Sequence, residues 1–71
     1  MTISEAVKKV FTEMKVGERF RGYELKNKVV EIRPESENMY VDTVLRQLRK
    51  LYHGRYRVIG SYHQSLYEKI S

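Results

Sequence analysis

The chain has 71 residues with 14 Lys/Arg against 9 Asp/Glu, a formal net charge of +5, and no cysteine. This is enough for one small domain that buries about 60% of its unfolded surface, and it excludes disulfide staples and thiolate metal sites. No apolar run approaches the roughly 18 residues of a membrane span, and the N-terminus lacks the basic-then-apolar layout of a signal peptide, so the expected home is cytoplasmic.

The charge is unevenly placed. Residues 1 to 42 balance eight cations against eight acids. Between Thr43 and Tyr67 stand Arg46, Arg49, Lys50, Arg55 and Arg57 with no acid, and Glu68 and Lys69 then cancel. Such asymmetry presents one face to a polyanion. A solvated basic helix face is the plainer alternative.

In chain order, Thr2 and Glu5 form a capping box ahead of Ala6, Val7, Val10, Phe11 and Met14, whose spacing predicts a helix over about 3 to 15. Gly17 reads as its stop, and Glu18 to Arg21 as a short extended piece in which Phe20 plugs the core. Leu25, Val29 and Ile32 share a face of a second helix, about 23 to 32. Pro34 ends it, because the residue before proline avoids helical angles. A polar turn over 33 to 38 leads to Asn38, a favoured N-cap type.

Val41, Val44, Leu45, Leu48, Leu51 and Tyr52 then recur at helical spacing, the strongest periodicity in the chain, and predict a helix over 38 to 53 closed by Gly54. Beyond it, Tyr56 and Val58 alternate with Arg55, Arg57 and Ile59, residues 60 to 65 read as a turn, and Leu66 to Ile70 alternates again. This predicts a β-hairpin over 55 to 70.

The order of elements resembles the winged helix-turn-helix family over essentially the whole chain. The stretch Thr43-Val44-Leu45-Arg46-Gln47-Leu48-Arg49-Lys50-Leu51 is similar to the T-V-x-R-x-L-R-x-L run of recognition helices there, and Gly17-Glu18-Arg19-Phe20 with Glu24-Leu25 to the first strand and the entry to helix two. The resemblance implies an α+β winged-helix fold, three helices with a C-terminal hairpin wing, in one domain over residues 1 to 71. It further implies a duplex DNA-binding module, a small transcriptional or phage-type regulator, with helix 38 to 53 in the major groove and hairpin 55 to 70 as the wing.

At 100° per residue, the face of helix three opposite the apolar stripe carries Met39, Thr43, Arg46, Lys50 and His53, flanked by Asp42, Arg49 and Gln47. Thr43 and Arg46 are groove-compatible and are read as base contacts. Gln47, turned further aside, pairs with adenine or stands by. Met39 and His53 fall to groove or backbone contact. Arg49 and Lys50 bind phosphate or complement the helix dipole, and both roles stay open. By strand parity Arg55 and Arg57 share a face and form a phosphate clamp, or else guard an exposed edge strand with charge. Tyr62 and His63, at the wing tip, are further candidates for a sugar or phosphate.

Catalysis is not expected. His53 and His63 lack partners at ligand spacing, Glu35 and Glu37 lie in a polar turn, and no serine or glycine motif of catalytic or phosphate-loop type occurs, so neither metal nor cofactor is called for. Two further classes stay open. One is a winged-helix module that docks on a protein or a second copy of itself through Tyr23, Met39, Tyr40 and Tyr62. The other is RNA binding, which no residue specifically supports.

Overall fold

A computed structural model describes residues 1 to 60 and 65 to 71. The chain forms α1 (Ile3–Glu13), β1 (Arg19–Arg21), α2 (Gly22–Ile32), a 3-10 turn (Pro34–Ser36), α3 (Val41–Tyr52), β2 (Tyr56–Ile59) and β3 (Leu66–Lys69). This is the expected α+β arrangement of three helices and a C-terminal hairpin. The short extended piece joins the hairpin, giving an antiparallel sheet of order β1-β3-β2. The last strand is thus the central one, with Phe20 opposite Tyr67 on one side and Val58 opposite Tyr67 on the other.

α1 starts as its sequence dictates. The Thr2 hydroxyl accepts the Glu5 amide at 3.1 Å and the Glu5 carboxylate accepts the Thr2 amide at 2.8 Å. Its apolar stripe of Ala6, Val7, Val10 and Phe11 is buried against Phe20, Leu25, Val29, Val44 and Leu48. The helix ends at Glu13, two residues before the expected end, because Met14 adopts an extended backbone. Gly17 therefore serves the turn into β1, where its amide donates to the Lys69 carbonyl at 2.7 Å.

The α2–α3 approach depends on Gly22. A Cβ there would stand 2.9 Å from Val41 Cγ1 and 3.0 Å from Leu45 Cδ1, so the absent side chain lets the start of α2 close on the first turns of α3. Between these helices, Arg33 donates to the buried Ser36 hydroxyl at 2.7 Å and to the Met1 carbonyl at 3.1 Å, pinning the turn to the N-terminus.

α3 departs from expectation at its start. Asn38 is not its N-cap: the chain makes a further turn in which the Met39 amide donates to the Ser36 carbonyl, and the helix opens at Val41 with Tyr40 as cap residue. Met39 consequently lies before the helix rather than on its polar face. The C-terminal end is as expected, with Gly54 at φ 85° just past the cap residue His53. Val44 and Leu48 are fully buried, while Leu51, read as part of the stripe, is 40% exposed. Tyr52 closes the α1–α3 contact by stacking on Phe11 with ring centroids 4.3 Å apart.

Neighbouring residues of β3 go opposite ways, as strand geometry requires. Glu68 faces outward, and Lys69 faces the core, only 8% exposed. Its ammonium donates to the Phe11 and Met14 carbonyls, both at 2.8 Å, and lies 4.8 Å from the Phe11 ring centroid. α1 has no basic residue in its last turn, so the strand supplies the cation that the negative end of the helix calls for. Lys69 and Glu68 do not simply cancel: they serve different faces. Lys69→Met removes charge-assisted bonds worth about 1.5 to 3 kcal/mol and strips the Met14 carbonyl of its ammonium donor. The expected result is a melting temperature lower by on the order of 10 °C. A variant melting with the parent would show the cap to be dispensable.

Candidate nucleic-acid interface

The core-facing stripe of α3 decides what its other side offers. With Val44 and Leu48 inside, Asp42, Arg46, Arg49 and Lys50 are exposed, and Thr43 is half-buried beside them. Asp42 lies in the first turn and Arg49 and Lys50 in the last, each the favourable sign for its end of the helix dipole. His53 is exposed at the cap position and Arg55 just beyond it. Burial raises the pKa of the Tyr56 phenol, and the nearby Arg49 charge acts against that rise.

The structure gives three of the candidate residues partners inside the molecule. Gln47 is turned toward α1, where its Oε1 accepts the Ser4 hydroxyl at 2.8 Å. It ties the two helices together, in keeping with its flank position and the bystander alternative. Met39 is half-buried, its sulfur 3.8 Å from the Arg33 guanidinium. Arg57 lies on the outer face of the sheet, its Nε donating to Glu68 at 2.6 Å. Tyr62 and His63 lie outside the described residues.

Of the pair Arg55 and Arg57, Arg55 lies just before β2, where its carbonyl still accepts the Ile70 amide at 3.0 Å and so continues the pairing with the end of β3. Arg57 instead belongs to a ladder across all three strands, Arg19 opposite Glu68 opposite Arg57, with Arg19 Nε also on the Glu68 carboxylate at 2.9 Å. Val58, on the face opposite Arg57, is 53% exposed. It shares a face with Tyr56 and Tyr67 by register, but the wing carries it past the edge of the core.

The cations therefore divide by partner. Lys9, Lys28, Arg19 and Arg57 are in ion pairs, and Arg33 and Lys69 donate to backbone carbonyls. Arg46, Arg49, Lys50 and Arg55 have no ion-pair partner among the described residues. Lys8, Lys15 and Lys26 are also outside ion pairs, but each stands within three residues of a glutamate: Glu5, Glu18 and Glu24. On α3 the nearest acid is Asp42, one turn before Arg46, and the two do not pair.

Beside this face runs a groove of about 520 Å³ between the start of α2, the first turns of α3 and the root of the wing. Gly22, Val41, Leu45 and Tyr67 line it, with Tyr23 and Asp42. A second cleft of about 300 Å³, between α1 and α2, is acidic through Glu13, Glu18 and Glu31. Among the described residues, no cluster of three or more His, Asp or Glu is placed to hold a metal, and no buried side-chain polar atom lacks a partner. Comparison with protein-family models, curated proteins and solved structures returned no significant match.

Glu68 yields a pH signature. Its hydrogen bonds from Arg19 and Arg57 hold the carboxyl below its ordinary value. With the folded pKa below the unfolded one, the contribution is present above about pH 4.3 and lost as pH falls through the lower folded value. Melting temperatures taken from pH 7 to pH 2.5 should therefore fall more steeply for the parent than for Glu68→Gln. Glu5, held low by the Thr2 backbone hydrogen bond, keeps part of the slope in both. Equal slopes would mean that the ladder adds nothing.

Proposed function

We propose that this chain is a duplex DNA-binding module of the winged helix-turn-helix kind, with α3 in the major groove and the hairpin beside it. One observation carries the reading. The acid-free stretch from Thr43 through the rest of α3 and into the hairpin keeps Arg46, Arg49, Lys50 and Arg55 exposed and without ion-pair partners among the described residues, while much of the remaining cationic charge is answered inside the molecule. Unpaired cations on one helix face are suited to phosphates, whose neutralisation releases counterions. Thr43 and Arg46 face the bases in this reading, and Arg49, Lys50, His53 and Arg55 follow the backbone. A cytoplasmic regulator without catalytic function belongs to the same proposal.

A second reading has its own support. Tyr23 and Tyr40 are 58% and 82% exposed, and tyrosine is enriched where proteins dock. A protein partner or a second copy of the chain would use that edge.

The two readings differ in what DNA binding looks like. Contact with about four to six phosphates gives a log-log salt slope of roughly −4 to −5 and a non-specific affinity on the order of 10⁻⁴ to 10⁻⁶ M at physiological salt, measurable by fluorescence anisotropy. On a duplex selected from random sequence, Arg46→Ala should lose about 1 to 3 kcal/mol of discrimination at one base position. Arg57→Ala, remote from the bases and already paired with Glu68, should weaken all sequences alike and only modestly. Equal, sequence-independent losses for both variants would favour the docking module, and no binding at low salt would end the DNA reading.

A further inference from the structure

Tyr40 stands out because the fold does not use its ring. It is 82% exposed, the most exposed large hydrophobic residue among those described. Its contribution to α3 is its backbone, the carbonyl accepting the Thr43 amide at 3.1 Å, and its side chain makes no cap. Serine, threonine, aspartate or asparagine would cap the helix better, and Asn38 shows such a residue two positions upstream. A locally poor choice with a bare aromatic ring points to a use outside the fold.

The direction of that use follows from how charge runs along α3. The cations gather from Arg46 onward, through Arg49 and Lys50 to Arg55 past the end, while the start carries Tyr40, Asp42 and the neutral Thr43. Phosphates are attracted to the cationic end and repelled by Asp42. In the DNA reading, the start of the helix therefore faces base edges and its end follows the backbone. In the major groove the 5-methyl of thymine is the apolar feature of the base edges. Tyr40 is the large apolar group at the helix end that meets them.

We propose that Tyr40 is a specificity residue that recognises thymine, packing its ring on the 5-methyl group at the N-terminal end of α3. This rests on the duplex DNA reading above and adds the base class that the reading end selects. The competing use of the same ring, docking on a protein, is separated by the test.

The test takes the duplex preferred by the parent chain in selection from random sequence, then replaces each thymine in turn by deoxyuridine, which deletes only the methyl. Affinities are measured by anisotropy for the parent, Tyr40→Ala and Tyr40→Phe. Loss of one buried methyl should weaken the parent about three- to fivefold at one position. Tyr40→Phe should show the same sensitivity, and Tyr40→Ala should bind the two duplexes alike. The inference is overturned if the parent binds DNA yet is indifferent to every replacement, as a docking role for the ring requires, or if Tyr40→Ala keeps the full sensitivity. Failure of the parent to bind any duplex at low salt removes the DNA reading and this inference with it. Thermal melting of Tyr40→Ala should match the parent, since the ring is exposed, and a large drop would contradict the premise that the fold does not use it.

Discussion

The ammonium of Lys69 lies 2.8 Å from two carbonyls at the end of α1 and against the Phe11 ring, and the placement of both the sheet and α3 runs through that contact. It sits on the central strand, so fixing it fixes the strand to which β1 and β2 are both registered. Phe11, gripped from one side by the ammonium, stacks on Tyr52, the last residue of α3. One buried cation thus links the end of α1, the middle of the sheet and the end of α3. In a domain of this size, where one or two kcal/mol is a large share of total stability, such a shared anchor matters more than any single surface ion pair.

Strand alternation lets the same two residues organise the charge outside. Lys69 turns in to the helix end while Glu68 turns out and meets Arg19 and Arg57 together. The wing's carboxylate is occupied by sheet arginines, and the acids of α1 and α2 lie near the lysines of those helices. Of the remaining acids, Asp42 stands in the first turn of α3 and Glu35 and Glu37 are exposed in the turn before it, so from Thr43 onward the helix carries no acid. The basic character of that face arises as much from where the acids are held as from where the arginines stand.

Much of this was legible from residue order alone. The capping box of Thr2 and Glu5, the stop at Gly54, the burial of Phe20 and the stripe of Val44 and Leu48 are local signals, and each leads to the structure observed. Contacts distant in sequence were not legible. Ser4 and Gln47 are 43 residues apart, and no periodicity reveals that an amide on the flank of α3 meets a hydroxyl on α1. The meeting of Arg19 and Arg57 on Glu68 was hidden in the same way, because it needs β1 and β2 registered on either side of β3. Asn38, a good cap by type, was bypassed because the turn held by Arg33 and Ser36 carries the chain on to Tyr40. The reversed roles of Glu68 and Lys69 were open to inference, since adjacent strand residues face opposite ways, but only once β3 was known to be central.

The claim on which the rest turns is that the free face of α3 meets nucleic acid. Titration of isotopically labelled chain with a short random duplex at low salt, followed by amide chemical shifts, tests it most directly. Shifts should concentrate on Tyr40 to Arg46 and on Arg49 to Arg55, fade as salt is raised, and leave the acidic cleft at Glu13 and Glu31 unmoved. Shifts centred on that cleft or on Arg19, or none anywhere, would contradict it.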